Sequence, residues 1–394
     1  MRIAWAANSP WTTSGYGQQT ALFAPRIKAL GHEIALIATY GLEGSILNWR
    51  GIPVYPRGQN RHGMDVMAAH AEHFQADILI TLFDAWTIEP FLLRDTRWVP
   101  WFPVDREPIP PAVTDKVKHA WRSIVYSKFG EREARAAGLT PSYVPHGVDT
   151  AAYSPGSKAD ARKALDWPKD AFIVGMVAAN KDYPSRKAFP QSIAAFAELR
   201  RKHSDALLYI HSRSNRDDTE GVNLLDLARF YGVEDAVIFS AEYQHVVGFP
   251  TAYMIDVYRG MDVLLAASMG EGFGVPIIEA QAAGTPVIVG DWTATAELCF
   301  GGWQVAREDA EPWWTQEGAL QFLPRIGPLT EALKLAYAAL GHKDIALRKA
   351  RAAREGALAY DADTVTRDYW APVLAEMEAQ LQAAPASFAE ALRV

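Results

Sequence analysis

The chain has 394 residues, more than one ordinary hydrophobic core encloses, so two domains are expected. Apolar residues make up 49% and charged residues 22%, a globular balance, and the formal net charge of −7 disfavours nucleic acid as a partner. The single cysteine, Cys299, excludes an intrachain disulfide and a cysteine-rich metal site and points to a reducing, cytoplasmic setting; the pattern shows neither a signal peptide nor the ~18 apolar residues of a membrane span.

Apolar runs alternate with helical patterns along the chain, which predicts parallel sheets covered on both faces by helices. In the first half the predicted strands are 3–6, 33–39, 78–82, 98–104, 123–127 and 142–145, with helices at 16–29 and 113–120 among them. The stretch from Asp149 to Lys158 holds Pro155, Gly156 and Ser157 and reads as a connection between domains. Strands are predicted again at 172–178, 206–211, 237–240, 262–268 and 286–290, with helices at 189–202, 224–231 and 251–259. Helical patterns at 329–340, 346–360 and 364–383 close the chain. Two α/β domains joined once place a cleft between the carboxyl ends of two sheets, where ligands of such folds bind.

Four groups of residues fall at those ends. The loop from Asn8 to Gly17 follows the first strand and opens the first helix; Gly15 and Gly17 permit close backbone approach, and the helix start favours an anion. It lacks both Gly-x-Gly-x-x-Gly and a Walker lysine. Asn180 to Lys187 follows the first strand of the second half, and Arg186 and Lys187 are suited to a diphosphate as its bond breaks. The third group is Gly270-Glu271-Gly272-Phe273-Gly274-Val275-Pro276, between a strand and a helix that Gly284 ends. Its free N–H groups and helix dipole suit a phosphate, whereas Glu271 and Glu279 are acceptors for hydroxyl groups. A ligand with both features is a nucleotide sugar. The fourth group is Asp84, Trp86, Asp105 and His146 on the first domain's edge; each also has a structural reading as a cap, turn or core residue. Trp11, Trp86 and Trp101 are candidates for a sugar-stacking wall or for the core. Asp361-Ala362-Asp363 fits a helix cap better than a metal site, and no zinc spacing or Gly-x-Ser-x-Gly occurs.

Taken together, these motifs resemble the retaining glycosyltransferases of family 4, which have the GT-B fold of two Rossmann-like domains. The resemblance rests on Glu271-x7-Glu279, Pro145-His146-Gly147-Val148-Asp149, the Arg186-Lys187 pair and the first glycine loop. It implies an N-terminal acceptor domain at 1–155, a donor domain at 156–362 and a C-terminal helix, 363–394, crossing back to the first domain. It also implies hexose transfer from a nucleoside diphosphate sugar to a glycan, lipid or small-molecule hydroxyl, without metal or other cofactor. Gly15, Gly17, Asn180, Phe273, Gly274, Val275 and Glu279 would hold the donor, while Glu271, Lys187, Arg186 and Asp105 would serve the reaction. The chain departs from the family where Asp182 takes the spacing of a usual arginine and where His146 replaces a common asparagine. Alternative readings are a nucleotide-sugar epimerase or hydrolase, a transferase acting on modified DNA bases, and a binding protein with a decayed site. For the DNA reading, a basic groove around Arg122, Lys128 and Arg132 would discriminate.

Overall fold

The computed structural model describes residues 1–93, 95–214 and 221–383; the end of the predicted C-terminal segment, 384–394, lies outside them. Among these residues the first sheet contains β1 (Arg2–Asn8), β2 (Glu33–Tyr40), β3 (Leu47–Trp49), β4 (Ile52–Tyr55), β5 (Ile78–Leu82), β6 (Trp98–Phe102), β7 (Ile124–Val125) and β8 (Ser142–Tyr143). Their order is β3-β4-β2-β1-β5-β6-β7-β8, parallel throughout except for the β3–β4 hairpin. The second sheet contains β9 (Phe172–Val177), β10 (Ala206–His211), β11 (Val237–Phe239), β12 (Val263–Ala266), β13 (Val287–Gly290) and β14 (Trp303–Val305), all parallel, in the order β11-β10-β9-β12-β13-β14. An antiparallel hairpin, β15 (Ala310–Trp314) and β16 (Leu320–Pro324), follows.

The helices that position the site are α1 (Gly15–Ala29), α2 (Lys128–Ala136), α3 (Phe189–Arg200), α4 (Val275–Ala282) and α5 (Ala371–Ala383). Central strands read as unbroken apolar runs because helices cover both faces. Ile3 through Ala7 are all buried in β1, and Val287 through Gly290 in β13. The alternation therefore located the inner strands well. It missed β3, β4, β14 and the β15–β16 hairpin: β3, β4 and β14 are only three or four residues long, and β15 is mostly exposed.

Each sheet changes direction beside its first strand. β1 has β2 on one side and β5 on the other; β9 has β10 and β12. A strand order that reverses leaves a crevice at the strands' carboxyl ends, where ligands bind in this architecture. The loops after β1, β5, β9 and β12 are those holding Gly15, Asp84, Lys187 and Glu271.

The chain crosses between lobes twice, and the crossings pair. Val148 N–H donates to Tyr360 O at 2.9 Å, and Ala362 N–H donates to Val148 O at 3.0 Å. Asp361 caps the short helix Ala362–Val365 by accepting from Asp363 N–H at 2.9 Å, the capping role read from sequence. One π turn, Thr366–Trp370, then leads into α5 on the first lobe. There Trp370 is fully buried against Trp5, Phe23 and Trp101, with ring centroids 5.5, 6.0 and 4.9 Å away. The N-terminal ammonium donates to Glu378 at 2.8 Å, on the same helix. No helix among the described residues is long and apolar enough to cross a membrane.

Candidate functional site

The first glycine loop is built from its own polar side chains. Asn8 Nδ2 donates to Ser14 Oγ at 2.6 Å, and Ser14 Oγ caps α1 by accepting from Gly17 N–H at 3.1 Å. The two glycines have different reasons to be there. A Cβ on Gly17 would run into the Thr12 hydroxyl and lie 2.7 Å from Ser9 O, so this glycine closes the loop on itself. A Cβ on Gly15 would meet nothing within 4 Å, which leaves its face open to a ligand.

Opposite it, Lys187 and Glu271 form a half-buried ion pair through Lys187 Nζ and Glu271 Oε1. Burial pushes the Glu271 carboxyl upward, but the Lys187 and Arg186 charges outweigh burial and hold it down at about 2. Glu271 N–H donates to Thr293 Oγ1 at 3.1 Å, which fixes the loop from a residue 22 positions later.

Arg186 enters the same cluster in a different role from the one its motif implies. Its Nη1 donates to Gly270 O at 2.7 Å, and it lies 3.5 Å from Asp182, 3.5 Å from Glu271 and 4.0 Å from Asp105. Three carboxylates and a carbonyl take up its fork, so in this arrangement it joins the lobes rather than offering a free cation. Asp105 thus does reach the site, from the end of β6, and is further paired with Arg106 at 3.0 Å.

The glycine-rich loop needs its glycines partly for packing. A Cβ on Gly270 would strike Asp105 O, and one on Gly272 would lie about 2.5 Å from Pro103 Cβ. These two glycines let the second lobe's loop lie against the first lobe, a job that the sequence reading gave to ligand approach. Gly274, at φ +116°, takes the N-cap position of α4, where another residue would be strained. Phe273 is buried, its ring edge-on to Tyr126, His146 and Tyr360. Val275 opens α4 and Pro276 follows within its first turn. Gly284, at φ +84°, lies just past the end of α4, as predicted.

Two predicted donor residues stand apart. Asn180 spends its amide on backbone: Nδ2 donates to Val222 O at 2.7 Å and Arg213 O at 3.2 Å, and Oδ1 accepts from Val222 N–H at 3.0 Å. Both of its N–H groups are used, so it orders the loop and has no donor left for a ligand. Glu279 is 7% exposed and accepts from Tyr258 OH at 2.7 Å and from Tyr153. Burial raises its pKa against those two hydrogen bonds.

The remaining candidates separate by burial. His146 and Trp101 lie in the core, whereas Trp86 and Trp11 are more than two-fifths exposed. Asp84 sits in the cleft near Asp105, and burial followed by that like charge raises its pKa. Tyr16 and Tyr126, hydrogen-bonded to each other beside it, were given no role from sequence, nor was Thr293, and Asp182 was noted only as a departure from the family pattern. The three basic residues named for a groove are each paired: Arg122 with Glu376, Lys128 with Glu131 and Arg132 with Glu133.

Two doubly wound sheets meeting at their switch points, with a C-terminal helix returned to the first, constitute the GT-B fold. Residues 171–316, which include Lys187 and Glu271, match the family model described as "Glycosyl transferases group 1". The D-inositol 3-phosphate glycosyltransferase of Acidothermus cellulolyticus is 32% identical over 147 residues, 37% of this chain and 32% of that protein. Its namesake from Stackebrandtia nassauensis is 32% identical over 206 residues, 50% of this chain and 43% of that protein. The chain therefore spans a third to under half the length of these curated relatives. Among solved structures, sucrose-phosphate synthase from Thermosynechococcus elongatus superimposes with a TM-score of 0.74 at 18% identity, covering 98% of this chain and 100% of that one. Anabaena HepE in complex with UDP-glucose gives 0.71 at 16% identity, covering 95% and 100%. At these identities the likeness establishes the fold.

Proposed function

We propose that this chain is a retaining glycosyltransferase of family 4. It moves a hexose from a nucleoside diphosphate sugar to an acceptor hydroxyl in the cytoplasm, without a metal or other cofactor. The observation that carries the reading is the Lys187–Glu271 pair, set at the second sheet's switch point beside the start of α4, with Arg186 linking Glu271 to Asp105 of the first lobe. The family match over this stretch and the names of the relatives support the same class.

In this reading the donor diphosphate takes Glu271's place as the partner of Lys187 and is held by the loop amides before α4. Glu271, ionised at neutral pH, turns its oxygens to the hexose hydroxyls, and Glu279 accepts from the ribose. Gly15 leaves room for the sugar and diphosphate. Arg186 acts on the diphosphate indirectly, by holding Gly270, Glu271 and Asp105 in place. The acceptor, a glycan, lipid or small molecule, lies on the first lobe near Asp84 and Asp105. Its oxygen attacks the anomeric carbon on the face that the diphosphate leaves. The C1–O bond breaks, its electron pair stays on the phosphate oxygen, and that oxygen takes the acceptor's proton. Such a route asks the protein for positioning and positive charge.

The test begins with thermal shifts for UDP, GDP, ADP and their sugars. D-inositol 3-phosphate is the first acceptor to try, after the relatives' name. With the productive pair, Glu271→Gln is expected to lower kcat by about 10²-fold or more while the nucleotide's thermal shift persists. Unchanged turnover in that variant would remove Glu271 from the chemistry. Donor consumption at the same rate without acceptor would favour the epimerase or hydrolase instead.

A further inference from the structure

The β15–β16 hairpin belongs to the second lobe by its packing. Phe322 is 3% exposed against Trp292, and its N–H donates to Met269 O at 2.9 Å, just before the glycine-rich loop. Its outer end nevertheless bonds to the first lobe. Glu107 N–H donates to Leu320 O at 3.1 Å, and Leu320 N–H donates back to Glu107 O at 2.7 Å. This isolated antiparallel bridge lies two residues beyond Asp105. Ion pairs flank it on both sides: Arg106 with Glu317 at 2.6 Å, and Arg307 with Glu107. A further contact crosses the lobes elsewhere in the interface. The Glu297 carboxylate, from the second lobe, accepts from Lys128 N–H at 2.8 Å and Phe129 N–H at 3.3 Å, capping α2 of the first.

We propose that this hairpin is an interlobe clasp, with Glu107, Arg307, Arg106 and Glu317 as positioning residues. It holds the cleft closed in the free protein and seats Asp105 against Gly270 and Arg186. Lobes joined only by the paired crossings at Val148 and Asp361 would rotate readily about that line. The clasp adds to the Glu297 cap, the Arg186–Asp105 contact and the apolar junction at Phe273, so opening must also break its two backbone hydrogen bonds and two ion pairs together. Glu317 and Arg307 are about half exposed, so salt or a charge change loosens the clasp without disturbing a core. The consequence for turnover, a misplaced Asp105, rests on the proposed transfer reaction; the closure itself does not.

Two measurements test closure without any substrate. In the double variant Arg307→Gln/Glu317→Gln, small-angle X-ray scattering is expected to show a larger radius of gyration than the wild type at physiological salt. One molar salt should shift the wild type the same way. Superimposable scattering from the two proteins would overturn the clasp. In a Cys299→Ser background, Glu107→Cys and Leu320→Cys place a pair where both N–H···O bonds are exchanged, at a Cα spacing of about 5.5 Å that suits a disulfide. That bond is expected to form on mild oxidation of the free protein. Two cysteines that label freely and never join would mean that the lobes rest apart. A kcat reduced by the double variant, with the donor's thermal shift unchanged and restored by the charge-swapped pair Arg307→Glu/Glu107→Arg, would assign the clasp to positioning. A kcat that stays at the wild-type value would withdraw that role.

Discussion

His146 is 4% exposed, stacked 4.0 Å from Tyr126 and edge-on to Trp101 at 4.6 Å, and burial lowers its pKa from 6.5 to about 3. A ring held neutral in this way packs against Phe273 and joins the lobes through apolar contact. Unfolding releases the ring to water, where it takes up a proton below pH 6.5. Its contribution to stability is therefore complete above pH 6.5 and drains as pH falls toward 3, by about 1.4 kcal/mol per unit. His146→Asn should remove about 2 kcal/mol of the stability difference between pH 7 and pH 5, measured by urea denaturation. An unchanged difference would mean that the native state protonates this ring. Sequence alone offered a lone histidine at the cleft edge, and nothing local distinguishes a core ring from a catalyst. Glu271 and Lys187 were legible for the opposite reason. Each stands in a loop that leaves a parallel strand, and such loops point to the cleft. Arg186 has that placement too, but Asp105 and Gly270 decide its job, and both are about 80 residues away in sequence.

At the scale of elements, legibility followed burial. β1, β5, β9 and β13 have buried, almost wholly apolar centres, so their runs announced them. The β15–β16 hairpin did not, because Glu311 through Trp314 are exposed and the two strands add to neither sheet. The helical pattern at 364–383 was legible, and in the structure its Trp370 and Leu374 are both fully buried. Their placement gives that segment a measurable weight. Trp370 fills the space between Trp5, Phe23 and Trp101, and little around it can collapse inward. Trp370→Ala should cost about 3–5 kcal/mol of unfolding free energy. The measurement is the denaturation midpoint at constant slope. A loss below about 1 kcal/mol would show that α5 docks through its polar contacts, such as the Glu378 bond to the N-terminal ammonium.

For the whole molecule, two kinds of contact join the lobes, and salt tells them apart. The clasp joins two backbone hydrogen bonds to ion pairs whose Arg307 and Glu317 ends are about half exposed, whereas the interior junction is apolar. Phe273 of the second lobe meets Tyr126 and His146 of the first, and one continuous core runs from Ile3 and Trp5 through Val148 to Ile278 and Leu298. The π turn and α5 close the circuit, because they follow the second lobe in the chain yet complete the first lobe's interior with Trp370, Leu374 and Met377. Each lobe has core clusters of its own, but neither buries all of its apolar surface without residues from the other half of the chain. The two should therefore unfold together, in a single calorimetric peak with equal calorimetric and van't Hoff enthalpies. One molar salt screens charges beyond about 3 Å, so it should widen the cleft without splitting that peak. Two resolved peaks at either salt concentration would show that the shared core is too thin to couple the lobes. The paired crossings at Val148 and Asp361 would then be a free hinge, with the clasp as its chief restraint.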